Sequence, residues 1–201
     1  MSRELELARE LVRKLEEAEK TNKVQLSELQ PGETFKIGEH DFIVLEQNVC
    51  NGTTNVISKG FMAKGIVFDS NTRDYNKSNL KRAIEENIQP VIESEIGAGN
   101  IIKQAVSLTS VDMQDEFKPC YCKVRPITFN EARKYNNLLV NKDLDDWWWT
   151  CTPWSTADRG WKYAITVVVP FGTVNRSNCR SDCGVRPFCI LKSNIFVSKG
   201  E

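Results

Sequence analysis

Three consecutive tryptophans, Trp147-Trp148-Trp149, set the strongest constraint on what this chain can fold into. Each indole is a large apolar ring that favours withdrawal from water. If the segment is a strand, side chains alternate, so Trp147 and Trp149 fall on one face and Trp148 on the other. At least one face is then core or a ring platform, and core is the ordinary reading. Two further segments, Trp161 to Val169 and Val185 to Leu191, are also rich in aromatic and β-branched residues with turn residues between them, as strands are. Pro187 has no N–H for a sheet ladder, so it belongs at an edge or a strand start.

The first half of the chain supplies a second group of strands. Pro31-Gly32 marks a turn, Thr34 to Ile37 and Asp41 to Gln47 read as strands, and Asn51-Gly52 signals a hairpin returning through Asn55 to Ser58. Helices separate the two groups. From Ser78, a candidate N-cap, Leu80, Ile84 and Ile88 keep helical spacing as far as Pro90, and Val91, Ile92 and Ile96 continue it to Gly97, which predicts one kinked helix or two short ones. Thr128-Phe129-Asn130-Glu131 has the form of a capping box, and Ala132, Tyr135, Leu138 and Leu139 provide the buried face of the helix it starts. The expected class is α+β, with small antiparallel sheets and two main helices.

Residues 2–21 place Leu5, Ala8, Leu11, Val12, Leu15 and Ala18 at three- and four-residue spacing against Glu, Arg and Lys, which predicts an amphipathic helix. Its uses are oligomerisation as a short coiled coil or docking on its own domain; Glu19 and Asn22 interrupt the heptad pattern. We divide the chain into this helix, residues 1–23, and a domain, residues 24–201, with a joint around Thr21 to Lys23.

The 27 basic and 27 acidic residues cancel and no stretch concentrates Lys or Arg, so nucleic acid is not an expected partner. No run is long and apolar enough for a bilayer, and the charged N-terminus lacks the apolar centre of a secretory signal, so the expected location is cytoplasmic, or the virion for a phage structural protein. Seven cysteines, an odd number, then read as thiols.

Enzyme signatures are missing. His40 is the sole histidine, beside the Gly38-Glu39 turn. Asp143, Asp145 and Asp146 suit capping or ion pairing better than a cation site. Cys120 with Cys122 and Cys179 with Cys183 lack the spacing of a zinc site. Phosphate-loop, dinucleotide and metalloprotease motifs do not occur. No catalytic residue, metal or cofactor is expected. Trp154, after Pro153 in a polar loop, is expected to be partly exposed and the best aromatic contact for a ligand.

Asp146-Trp147-Trp148-Trp149-Thr150-Cys151-Thr152-Pro153, a strand to Val169, a turn at Gly172, and Gly184-Val185-Arg186-Pro187-Phe188 together resemble a bacterial and phage family of uncharacterised domains. That family carries a WWLRSP-like segment and ends in GVRP plus an apolar strand. The helix from Thr128 to Val140 also fits it, and the likeness covers residues 32–196. The ending is similar as well to the formylglycine-generating-enzyme type of C-type-lectin fold, including variable proteins diversified by retroelements. This implies a C-type-lectin-like domain whose diversified face corresponds to Asn175, Arg176, Ser177, Asn178, Cys179, Arg180, Ser181, Asp182 and Cys183. Each of these residues can arise from an AAC-type codon by changes at its adenines. Thr150-Cys151-Thr152 departs from the family's Arg-Ser, and no calcium-and-sugar lectin motif is present.

The expectation is a non-enzymatic module that binds a protein or other macromolecule through the polar loop 175–183, with Trp154 and Arg159 nearby, in a phage or mobile-element context. Two alternatives stand beside it. One is a virion fibre, tail or decoration protein trimerised through residues 2–21; the other is a thiol or copper-dependent oxidase built on Cys179 and Cys183.

Overall fold

Strands from the two ends of the chain share one sheet. The computed structural model describes residues 5–13 and 23–200. In chain order the strands are β1 (Lys23–Gln25), β2 (Thr34–Ile37), β3 (His40–Asn48), β4 (Thr53–Ser58), β5 (Ala63–Val67), β6 (Gln104–Val106), β7 (Cys120–Cys122), β8 (Val124–Pro126), β9 (Trp148–Pro153), β10 (Ala164–Val168), β11 (Val174–Asn178), β12 (Asp182–Val185), β13 (Pro187–Lys192) and β14 (Phe196–Lys199). A seven-stranded antiparallel sheet runs β1-β14-β2-β3-β4-β13-β8. The C-terminal strand β14 therefore sits between the N-terminal strands β1 and β2, and β13 between β4 and the mid-chain strand β8. A second sheet runs β11-β10-β9-β12-β5, with β9 and β12 parallel where Gly184 lies opposite Trp148, and β6 and β7 form a separate ribbon. The class is α+β.

The seven-stranded sheet is covered on both faces, which explains why its central strand β3 carries four consecutive apolar residues, Phe42 to Leu45. Along β3, Phe42 and Val44 enter one core while Ile43 and Leu45 enter another. The first core meets the helix predicted from Ser78. It consists of α2 (Asn79–Ala83), a wide π turn over Ile84–Ile88, and α3 (Gln89–Ile96), and it buries Leu80, Ile84, Ile88 and Ile92. Ser78 Oγ accepts the Lys81 N–H at 3.1 Å, and the π turn comes immediately before Pro90, which cannot continue a regular ladder. The second core meets α4 (Phe129–Lys134) and α5 (Asn136–Leu139), separated at Tyr135, through Ala132, Tyr135 and Leu139. The capping box at Thr128 is complete: its hydroxyl accepts the Glu131 N–H at 3.2 Å, and its own N–H donates to Glu131 Oε2 at 2.8 Å.

Trp148 and Trp149 are fully buried in different cores, as alternation requires. Trp147 departs from the expectation. It precedes the strand, is 39% exposed, and does not join Trp149 in the core. Pro187 opens β13 opposite Pro126, so its missing N–H falls at a strand start. Arg186 is fully buried, and among the described residues it has no ion-pair partner. It donates to the carbonyls of Ser58 and Leu139 and lies over the Trp148 ring.

Residues 5–13 form helix α1, and all of them are exposed, including Leu5, Leu7, Leu11 and Val12. The rest of the predicted amphipathic segment, with Thr21 and Asn22 of the joint, lies outside the described residues. Among the described residues no helix is long and apolar enough to cross a membrane.

Candidate functional site

The segment expected as a polar loop is instead a strand, a turn and a second strand. Asn175 to Asn178 belong to β11, which pairs with β10 in the register Thr166 opposite Arg176 and forms the edge of the five-stranded sheet. Cys179 to Ser181 form the turn, and Asp182 and Cys183 begin β12. Sequence reading missed this because an edge strand with one wet face needs few apolar residues. The turn is closed by the Asn178 side chain accepting the Arg180 N–H at 3.0 Å, and by the Ser181 N–H donating to the Asn178 carbonyl at 2.9 Å. Two backbone bonds anchor Cys179: its N–H donates to the Tyr163 carbonyl and its carbonyl accepts the Asp69 N–H.

The nine residues separate by exposure. Asn175, Arg176, Asn178, Arg180, Ser181 and Asp182 are exposed, Ser177 is half-buried, and Cys179 and Cys183 are core residues. The two thiols are thus not part of a displayed surface. Burial raises both above the ordinary thiol value, Cys183 to about 12, so they remain protonated at neutral pH.

Arginines on the exposed strand and turn lie on aromatic rings from the chain before β10. Arg176 is 4.4 Å from the Trp161 ring centroid and 6.0 Å from that of Trp154, and Arg180 is 4.0 Å from that of Tyr163. Such stacking is worth about 0.5–1 kcal/mol at exposed sites, and it holds the guanidinium plane in one orientation. Arg180 is fixed further by its Nε donating to the Ser70 carbonyl at 2.7 Å. The Arg176 guanidinium makes no hydrogen bond among the described residues, so its donors remain available. A depression of about 420 Å3 is lined by Trp161, Lys162, Tyr163, Arg176, Ser177 and Asn178. Its cations are Lys162 and Arg176, a surface suited to a ligand that carries carboxylates.

Trp154 is half-buried, as expected, and lies at the margin of this depression through Arg176. Of the residues expected from the sequence, Arg176, Ser177 and Asn178 line it, whereas Arg159, Asn175, Cys179, Arg180, Ser181, Asp182 and Cys183 do not. Arg159 instead pairs with Asp112. Trp161, Lys162 and Tyr163 were missed because the segment from Trp161 to Val169 was read as one strand, whereas β10 begins only at Ala164. Gly160, a turn residue just before them, was the available signal.

Two of the acidic candidates have structural partners. Asp145 pairs with Lys64 at 2.7 Å, and Asp146 accepts the Trp147 N–H. His40 opens β3 opposite Ile37. Among the described residues no cluster of three or more His, Cys, Asp or Glu is arranged to hold a metal ion. Comparison with known family models, curated proteins and solved structures finds no match to this chain.

Proposed function

We propose that the chain is a non-enzymatic binding module with a C-type-lectin-like domain, and that it engages a protein partner through the exposed side of β11 and the turn that follows. The observation that carries this reading is the pair of exposed arginines placed over aromatic rings, Arg176 over Trp161 and Arg180 over Tyr163, beside the buried Cys179 and Cys183. Arginine and tryptophan are the side chains that most often dominate interfaces, and prior ordering lowers the entropy cost of binding. Panning a displayed peptide library against the immobilised chain should enrich acidic sequences. The R176A/R180A variant should lose that enrichment while keeping its circular dichroism; equal enrichment on the variant would remove the reading.

Diversification by a retroelement is part of the same proposal, narrowed to Asn175, Arg176, Asn178, Arg180, Ser181 and Asp182. Their exposure supports variability, whereas substitution at Cys179 or Cys183 would disturb the core. A near-copy of the codons for residues 175–183 beside a reverse-transcriptase gene is the expected finding, and its absence removes this part and the mobile-element context with it.

One observation favours a virion role for the same domain: the apolar side chains of Leu5, Leu11 and Val12 on α1 are uncovered. Light scattering on the full chain and on Leu11→Glu tests it. A monomer in both cases eliminates the oligomeric arrangement.

A further inference from the structure

Between β6 and β7 the chain forms a strap, residues 107–117, that closes over a second and larger cavity of about 520 Å3. The strap is fastened at several points. Asp112 receives the hydroxyls of Ser110 and Ser155, each at 2.6 Å, the Val111 N–H donates to the Pro153 carbonyl, and Glu116 pairs with the buried Arg73. At its tip Met113 holds φ at 61°, a left-handed conformation that costs a non-glycine residue about 1 kcal/mol or more, and its side chain is 73% exposed at the cavity wall.

The cavity has an apolar side and a cationic rim. Val106, Val111 and Phe129 supply the first; Lys103, Asn130 and Arg133 supply the second. The side chains of Lys103 and Asn130 have no hydrogen-bond partner among the described residues, and the Arg133 side chain has only the ring of Phe129, 5.5 Å from its guanidinium carbon. The nearby acids do not offset these charges. Both Glu131 oxygens are taken by Arg125 in a buried bidentate pair, Asp112 is paired with Arg159, and neither Asp112 nor Asp115 lines the cavity. A volume of this size, with apolar and charged groups on its wall, is what a small organic ligand requires.

We propose that this cavity binds an organic anion with an apolar body: the acid group meets Lys103, Asn130 and Arg133, and the body lies against Val106, Val111 and Phe129 beneath Met113. This site is separate from the β11 face and does not depend on it.

Octanoate, octanol and octylamine, titrated into the full chain while backbone amide resonances are followed, test the proposal. Octanoate should move the resonances of residues 103–113 and 128–133 saturably. Octanol should bind about tenfold more weakly, for want of charge-assisted hydrogen bonds, and octylamine more weakly still. The K103A/R133A variant, altered only at exposed positions, should bind octanoate no better than octanol, whereas R176A/R180A should behave as the parent chain. Absence of saturable shifts with octanoate, equal affinity for octylamine, or undiminished octanoate binding by K103A/R133A would each overturn the proposal.

Discussion

Arg159 Nη1 donates to Asp112 Oδ2 at 2.5 Å, and the same oxygen receives the Ser155 hydroxyl. One carboxylate thus joins the strap to the loop that carries Trp154 and Trp161. Hydrogen bonds from Ser110 and Ser155, with the Arg159 charge added, lower Asp112 from the ordinary 3.8 to about 2. Because its folded value is depressed, the stabilisation is present above pH 3.8 and disappears as pH falls through about 2. Tryptophan fluorescence of the parent chain should change across that window. Asp112→Asn should show the altered emission already at pH 7, and identical acid titrations of the two would refute the coupling.

Glu131 closes the capping box and also neutralises Arg125, which is 2% exposed. Burial would raise the Glu131 value, but the Arg125 fork and the Thr128 bonds outweigh it, so the carboxyl stays ionised below its ordinary range. Glu131→Gln leaves a buried cation with no counter-charge. Urea denaturation should show a loss of about 3–5 kcal/mol, much of it recovered when Arg125→Met is added.

Gly184 has no room for a side chain: an added Cβ would lie 2.4 Å from the Phe61 ring. Gly184→Ala should cost about 1–3 kcal/mol in denaturant midpoint experiments. The double variant with Phe61→Ala should be no less stable than Phe61→Ala alone. If the two losses simply add, the contact is not the cause.

Of the seven cysteines, Cys50 is exposed and the other six are buried. Burial pushes Cys151, Cys183 and Cys189 to about 12, leaving scarcely any thiolate at neutral pH. Iodoacetamide applied to the folded protein should add one carbamidomethyl group, on Cys50, with the rest reacting only in denaturant. Rapid native labelling of Cys179 or Cys183 would contradict the packing described.

Local signals were readable in the sequence wherever a residue acts on its own neighbours. Thr128 with Glu131, Ser78, Pro90 and Asn51-Gly52 each fix backbone geometry within a few positions, and all four act as expected. The placing of β14 between β1 and β2, and of β13 beside β4, was not readable, because it depends on pairings more than a hundred residues apart, such as Cys189 with Val56. The candidate face was half readable. Its exposed polar residues were evident, but the stacking of Arg176 on Trp161 depends on the β10–β11 register, and the burial of Cys179 and Cys183 depends on what lies beneath.

Asn175 Oδ1 accepts the N–H of Arg176 at 2.8 Å. The ladder bonds at Cys179–Tyr163 and Val169–Thr173 set an alternation in which this N–H points away from β10, toward the open side of the edge strand. The amide side chain therefore occupies a position that a strand from another molecule would otherwise take. Loss of this asparagine would free that N–H, so a substitution at position 175 should give the chain a tendency to pair edge to edge, and solubility limits which residues the position tolerates.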